Sequence, residues 1–358
     1  MIVYVFMIIS TVIMTTGIKK AKKLENKGLE LGCKIMIFLI PFLIMSLRYD
    51  VGQDYLYTYV PIFETVKAIG EYNNVEFGYV LLNKLVLLFT NDYAGIFMLT
   101  SAIFCVFIYK AIMRSSKDIT LSFYILFASC FFFYAMNVMR QSIVIAIFIY
   151  CIRYIKERNV MKYMMIIILA SFIHKIALIF IPVYFVSYFK IKPKLLIIIA
   201  IVVVIAQPLI YNLIVKFTAG TKYENYITGR YSVSESSMIS PLINFSTLIL
   251  CYYYKQKDKK NGEFDDELNI LTNIHILALI CSLLLGSFPL ASRIFVNFYH
   301  VQILTIPLLL SKEKRKDIRR LLYLGYYMAF GFNFIYSVGM KNGNKVLPYR
   351  TILIDRRL

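Results

Sequence analysis

The chain contains no tryptophan, only three histidines, and half as many acidic as basic residues, 20 against 40. With charged residues at 17% and apolar ones at 59%, it lacks the polar surface that a separate soluble domain would need. Its six cysteines, Cys33, Cys105, Cys130, Cys151, Cys251 and Cys281, stand singly inside apolar segments. That spacing excludes a paired ligand set for a metal or a redox dithiol, and leaves them as core thiols. No basic region precedes the apolar residues 1–17, which argues against a cleaved signal peptide. Lys19, Lys20, Lys22, Lys23 and Lys27 follow instead, so the first helix is expected to start outside the membrane and end in the cytoplasm. The missing tryptophan, beside abundant lysine and isoleucine, is the composition of an AT-rich gene and assigns no host.

What is present is hydrophobicity in long runs, with mean hydropathy +0.68. The sequence therefore predicts one integral membrane domain over residues 1–358, an all-α polytopic membrane protein with about 11–13 transmembrane helices or half-helices. A net charge of +20 would suggest nucleic acid as partner of a soluble chain. Here the basic residues bunch in loops between apolar runs, so the partner is the lipid bilayer of a cytoplasmic (inner) membrane, and no nucleic acid. Residues 31–47 return to the outer face and open a first outer loop, 48–92. Within it the apolar stretch 76–90 is short, and counting it as a crossing would put Arg114, Lys117, Arg153 and Lys156 outside; it is expected to lie flat or re-entrant. The turn 137–141 then falls on the outer face. Residues 161–189 carry cationic loops on both sides and one polar break, His174-Lys175. A hairpin accounts for this, each leg reaching roughly 20 Å into a core of about 30 Å; one long tilted helix is the alternative. A further outer loop is expected at 216–237.

Candidate chemistry gathers on the outer side. Arg140 lies where a cation is costly in the membrane, and its planar fork of donors suits a lipid-linked phosphate. Arg293, with Asn297 and His300 at helical spacing after it, is a second such cation. A histidine, His174, or a carboxylate, Asp54, can take a proton from a sugar hydroxyl. Arg48, Asp50, Tyr55, Glu76, Asn137, Gln141 and Arg230 complete the expected substrate-binding set; Tyr55, Tyr57 and Tyr59 either offer sugars a stacking face or belong to the interfacial belt. Asp50 and Asp54 lack further ligands, so neither a metal nor another cofactor is expected. His275 sits in an apolar span and reads as structural.

The order Arg-Tyr-Asp-Val-Gly-Gln-Asp-Tyr at 48–55, Glu-Phe-Gly-Tyr at 76–79, Asn-Val-Met-Arg-Gln at 137–141, His174 ahead of Ala177, Arg293 and a late Pro348-Tyr349 resembles the EpsG-like branch of the Wzy-type polysaccharide polymerases. One departure is Ile176, where the family pattern carries a small hydroxyl residue. The resemblance implies a GT-C-like fold with juxtamembrane helices in the first outer loop. It also implies a glycosyltransferase that joins undecaprenyl-diphosphate-linked oligosaccharide repeat units into O-antigen, capsule or exopolysaccharide, its active site facing periplasm or cell exterior. A flippase and a chain-length regulator are the expected partner proteins. Two other classes stay open: a transporter or flippase for the lipid-linked oligosaccharide, and a GT-C transferase adding a single group from a polyprenyl-phosphate donor.

Overall fold

The computed structural model describes residues 1–220, 238–284 and 290–357. Among them the chain is helical almost throughout, as an apolar environment demands, because a helix satisfies its own backbone donors and acceptors where no water can. Six helices are long and apolar enough to cross a membrane, and two bent helix pairs raise the number to eight. Three shorter apolar helices accompany them. The chain is therefore an all-α multi-pass membrane protein.

The described residues form two compact units, Met1–Pro182 with Glu313–Leu358, and Val183–Lys312. The first begins with α1 (Ile2–Lys23) and α2 (Lys27–Ser46), whose start is capped by Asn26 accepting from the Leu29 N–H. A π-helical turn, Tyr55–Tyr59, leads into α3 (Val60–Ile69), and α4 (Phe77–Leu87) follows. At 1.5 Å per residue α4 is roughly 16 Å long, too short to span. These pieces bury Tyr55, Tyr59, Phe63, Tyr79 and Val86 against Phe97 of α5 (Ala94–Ser115), a small apolar core of their own. Helices this short hold a fixed position only with such a core.

The run 119–136 reads as one span but is broken. α6 (Ile119–Ala128) and α7 (Phe131–Asn137) meet at 47°, with Cys130 at φ 67° between them. The break strands the Ala128 carbonyl, and the Asn333 amide of α16 donates to it at 2.9 Å. Next comes α8 (Met139–Lys156), starting two residues after α7 ends. α9 (Val160–Ser171) is followed by a reversal at 172–174 and a 3₁₀ segment, Lys175–Phe180. The Tyr163 hydroxyl of α9 donates to the Phe180 carbonyl at 2.7 Å, tying one leg to the other, so His174 sits at the tip of a turn. The unit closes with α16 (Lys316–Phe334) and a carboxyl-terminal segment. That segment lies along the start of the first loop: Tyr49 N–H donates to Arg350 O at 3.0 Å and Gly52 N–H to Lys345 O at 2.9 Å. At the other end of the same unit Asp118 receives Lys19 at 3.2 Å and the Tyr323 hydroxyl at 2.8 Å.

The second unit contains α10 (Ile181–Val186) in large part, then α11 (Pro193–Thr218), α12 (Ile239–Lys260), α13 (Asp266–Leu283), α14 (Leu290–Tyr299) and α15 (Gln302–Lys312). α11 buries none of its side chains, an apolar surface fit for lipid. His275 ties three helices together, with Nδ1 2.7 Å from Asn244 Oδ1 and Nε2 2.9 Å from Thr305 Oγ1. That is the structural role expected of it. All six cysteines are free thiols, five buried and Cys281 partly so.

Candidate functional site

The Glu76 carboxylate is the centre of the arrangement. Glu76 precedes α4, outside the candidate spans, and is almost wholly buried. One of its oxygens, Oε2, pairs with Nη1 of Arg140; the other, Oε1, accepts the Lys175 N–H at 3.2 Å and lies 3.3 Å from Nδ1 of His174. Three segments from distant parts of the chain thus meet on one side chain. Burial pushes the Glu76 carboxyl up, but the His174 ring, the Arg140 charge and the Lys175 amide outweigh it and hold the carboxyl at about 2. Glu76 is an anion at any physiological pH.

Arg140 occupies the first turn of α8, where unpaired backbone N–H groups add positive potential to its own charge. Its guanidinium carbon lies 5.4 Å from the centre of the Tyr79 ring, and among the described residues its Nε–H has no acceptor. One edge of the fork is committed to Glu76 and the Nε–H is buried, while the side chain as a whole keeps 18% of its surface exposed.

The Arg140 turn is anchored from the first loop. Asn137 Oδ1 accepts the Asp54 backbone N–H at 3.0 Å, and the Tyr59 hydroxyl accepts the Met139 N–H at 2.8 Å. Two glycines make the approach possible. Gly52 has φ 99°, and a Cβ there would stand 2.7 Å from the Met136 carbonyl oxygen. A Cβ on Gly78 would stand 2.6 Å from the Phe172 carbonyl oxygen, so α4 lies against the His174 turn only because residue 78 has no side chain. Gly78→Ala is expected to cost about 2 kcal/mol of stability and to part Glu76 from His174. Gly32→Ala, with nothing within 4 Å of the new methyl, is the control. Thermal unfolding of both variants in detergent checks this; equal midpoints would show that α4 does not depend on the close approach.

Other expected residues lie elsewhere. Arg48 is fully buried, its guanidinium donating to the carbonyls of Met45 and, at 3.2 Å, Met136, and lying 5.0 Å from the Phe97 ring centre. Tyr55 is equally buried, stacked on Phe97 at 3.9 Å with its hydroxyl on the Arg48 carbonyl. These two were expected at the substrate and instead hold the floor beneath the site. Asp50, at φ 49°, pairs with Arg350 at 3.2 Å. Gln141 is buried, accepting from the Tyr134 hydroxyl at 3.3 Å. In the second unit Arg293 is exposed near the start of α14, and buried Asn297 donates to the Arg293 carbonyl at 2.7 Å. The span expected there is bent by 43°, between α14 and α15. Arg230 and most of the 216–237 loop lie outside the described residues. Among the described residues no cluster of three or more His, Cys, Asp or Glu can hold a metal.

The sequence reading missed Glu76 as the hub, Tyr59 as an anchor and Gly52 and Gly78 as spacers. A signal existed for the glycines, since each follows a motif polar residue within two positions. None existed for the pairing of Glu76 with Arg140, 64 positions apart.

Chemically, a carboxylate 3.3 Å from Nδ1 favours the tautomer protonated there, with Nε2 as the proton acceptor. Beside it stands a guanidinium suited to phosphate. Comparison with known proteins adds one match: the EpsG family model covers residues 33–351 of the chain. No curated protein and no solved structure matches it.

Proposed function

The chain belongs to the EpsG family, and from that premise we propose that this polysaccharide-polymerase-type membrane protein joins undecaprenyl-diphosphate-linked oligosaccharide repeat units on the outer face of the cytoplasmic membrane. The growing glycan on its lipid diphosphate is the donor, and a lipid-linked repeat unit is the acceptor. The hydroxyl oxygen of the acceptor forms a new bond to the anomeric carbon of the donor, whose bond to the diphosphate breaks. His174 Nε2 takes the hydroxyl proton, and Glu76 steadies the imidazolium that results. Arg140, with the α8 amino terminus behind it, takes the charge that develops on the departing diphosphate. Asp54 is positioned through its backbone on Asn137 and is assigned to orienting sugar hydroxyls rather than to the proton transfer. A flippase and a chain-length regulator are its proposed partners in the membrane.

The observation that carries this assignment is the single buried carboxylate shared by Arg140 and His174. One anion thereby places a phosphate-binding group beside a base. A proton-coupled transporter also employs carboxylate–imidazole pairs, so bond formation is what separates the two classes. The test is purified protein with purified lipid-linked repeat unit. A polymerase yields a ladder, a single-group transferase one addition, and a flippase no new bond. His174→Ala is expected to lower the ladder-forming rate by about a hundredfold with substrate binding retained. An unchanged rate would remove His174 as the base.

A further inference from the structure

The second unit contains a cationic cleft of about 790 Å³, bounded by residues 190–194 ahead of α11, the carboxyl-terminal end of α12 and the start of α13. Five lysines line it: Lys190, Lys192, Lys194, Lys255 and Lys259. Its carboxylates are Asp258, Glu263 and Asp265, and two of them are already engaged. Lys312 of α15 lies 2.9 Å from Asp258 and 2.7 Å from Asp265, so one ammonium is shared by both carboxylates. Among the described residues none of the five lysines forms an ion pair with a carboxylate.

The floor of the cleft is ordered. Lys255, only partly exposed, donates to Asn269 Oδ1 at 2.8 Å, and the Asn269 amide is fixed by the carbonyls of Ser187 at 3.0 Å and Phe189 at 3.3 Å. Its walls are apolar: Ile191, Pro193, Tyr252 and Phe264, with the Lys190 ammonium 4.3 Å from the Phe264 ring centre. Six lysines, Lys312 included, against three carboxylates leave the cleft with an excess of positive charge, and an anion relieves the repulsion among them. The volume falls in the range of small-molecule sites. A lysine rim over apolar walls suits a phosphate attached to a hydrocarbon body better than a fully hydrated ion.

We propose that this cleft binds the headgroup phosphate of an anionic phospholipid, on the face that the positive-inside bias assigns to the cytoplasm. The lysines hold the phosphate, and the apolar walls hold the upper part of the lipid. The site is independent of the polymerase assignment and stands or falls by itself.

Native mass spectrometry of the full chain in detergent, offered equal phosphatidylglycerol and phosphatidylcholine, tests it. The wild-type chain is expected to retain phosphatidylglycerol about tenfold over phosphatidylcholine. The triple variant K192Q/K194Q/K255Q is expected to lose that preference, while K20Q/K22Q/K23Q, an equal charge change in another loop, keeps it. Should the first triple fail to fold, K192Q/K194Q, confined to exposed side chains, carries the test. Equal loss in both triples would mean diffuse surface charge and overturn the proposal. Displacement of phosphatidylglycerol by excess inorganic phosphate would identify a site for a free anion and overturn it as well.

Discussion

Arg140→Ala is expected to abolish polymer, lowering turnover by a factor of about 10³, while the protein still inserts and folds. The guanidinium sits on the first turn of α8 with one edge on Glu76. Its removal deletes the cation assigned to the leaving diphosphate and leaves the buried Glu76 anion with His174 and the Lys175 N–H. Arg140→Lys keeps the charge but not the fork, and should recover only a small part of the rate, since an ammonium cannot hold a carboxylate and a diphosphate in one plane. Ladder formation by the purified variants measures this, with thermal unfolding in detergent as the control for folding. Polymer of normal length and rate from Arg140→Ala would take Arg140 out of the mechanism.

The second large effect is expected at Glu76. Glu76→Ala leaves the Arg140 guanidinium facing a void in place of its carboxylate, and breaking a buried pair in this way costs about 3 kcal/mol. Glu76→Gln is the sharper test, because it keeps the shape and an acceptor for the Lys175 N–H while removing the charge. It should slow turnover about a hundredfold with little change in substrate affinity, since the charge on Glu76 acts on the imidazolium formed during the reaction. The carboxyl is held below its usual 4.5, at about 2. A folded-state value below the unfolded one contributes stability that is present above the unfolded value and fades as pH falls toward the folded value. The stability gap between wild type and Glu76→Gln should therefore shrink as the pH drops below about 4.5. Urea or thermal unfolding below pH 4.5 checks the sign; a gap that widened as the pH fell from there would contradict the depressed Glu76 carboxyl.

Legibility in the sequence follows the range of the forces involved. Hydropathy is a local quantity, and local counting suffices to predict a polytopic all-α protein, a short helix after Glu76, and Arg140 as an unusual cation between apolar runs. The charge bias of the loops is likewise additive along the chain. The break at His174-Lys175 could be read because a polar pair in an apolar run is conspicuous. The kink at Cys130 could not, because nothing polar marks it; it exists because Asn333, about two hundred positions away, supplies a donor for the freed Ala128 carbonyl.

Arg48 shows the limit most clearly. By composition it looks the same as Arg140: an arginine in a polar stretch at the end of an apolar run. Only three-dimensional packing separates them. Arg48 lies beneath the site and spends its donors on the carbonyls of Met45 and Met136, whereas Arg140 faces a carboxylate and an imidazole. By itself the sequence determined the class of protein, its helices and the short roster of polar side chains. Tertiary structure decided which of them touch, because contacts such as Glu76 with Arg140 and His174 depend on how helices stack and where glycines let backbones approach, and neither leaves a periodic trace in the chain.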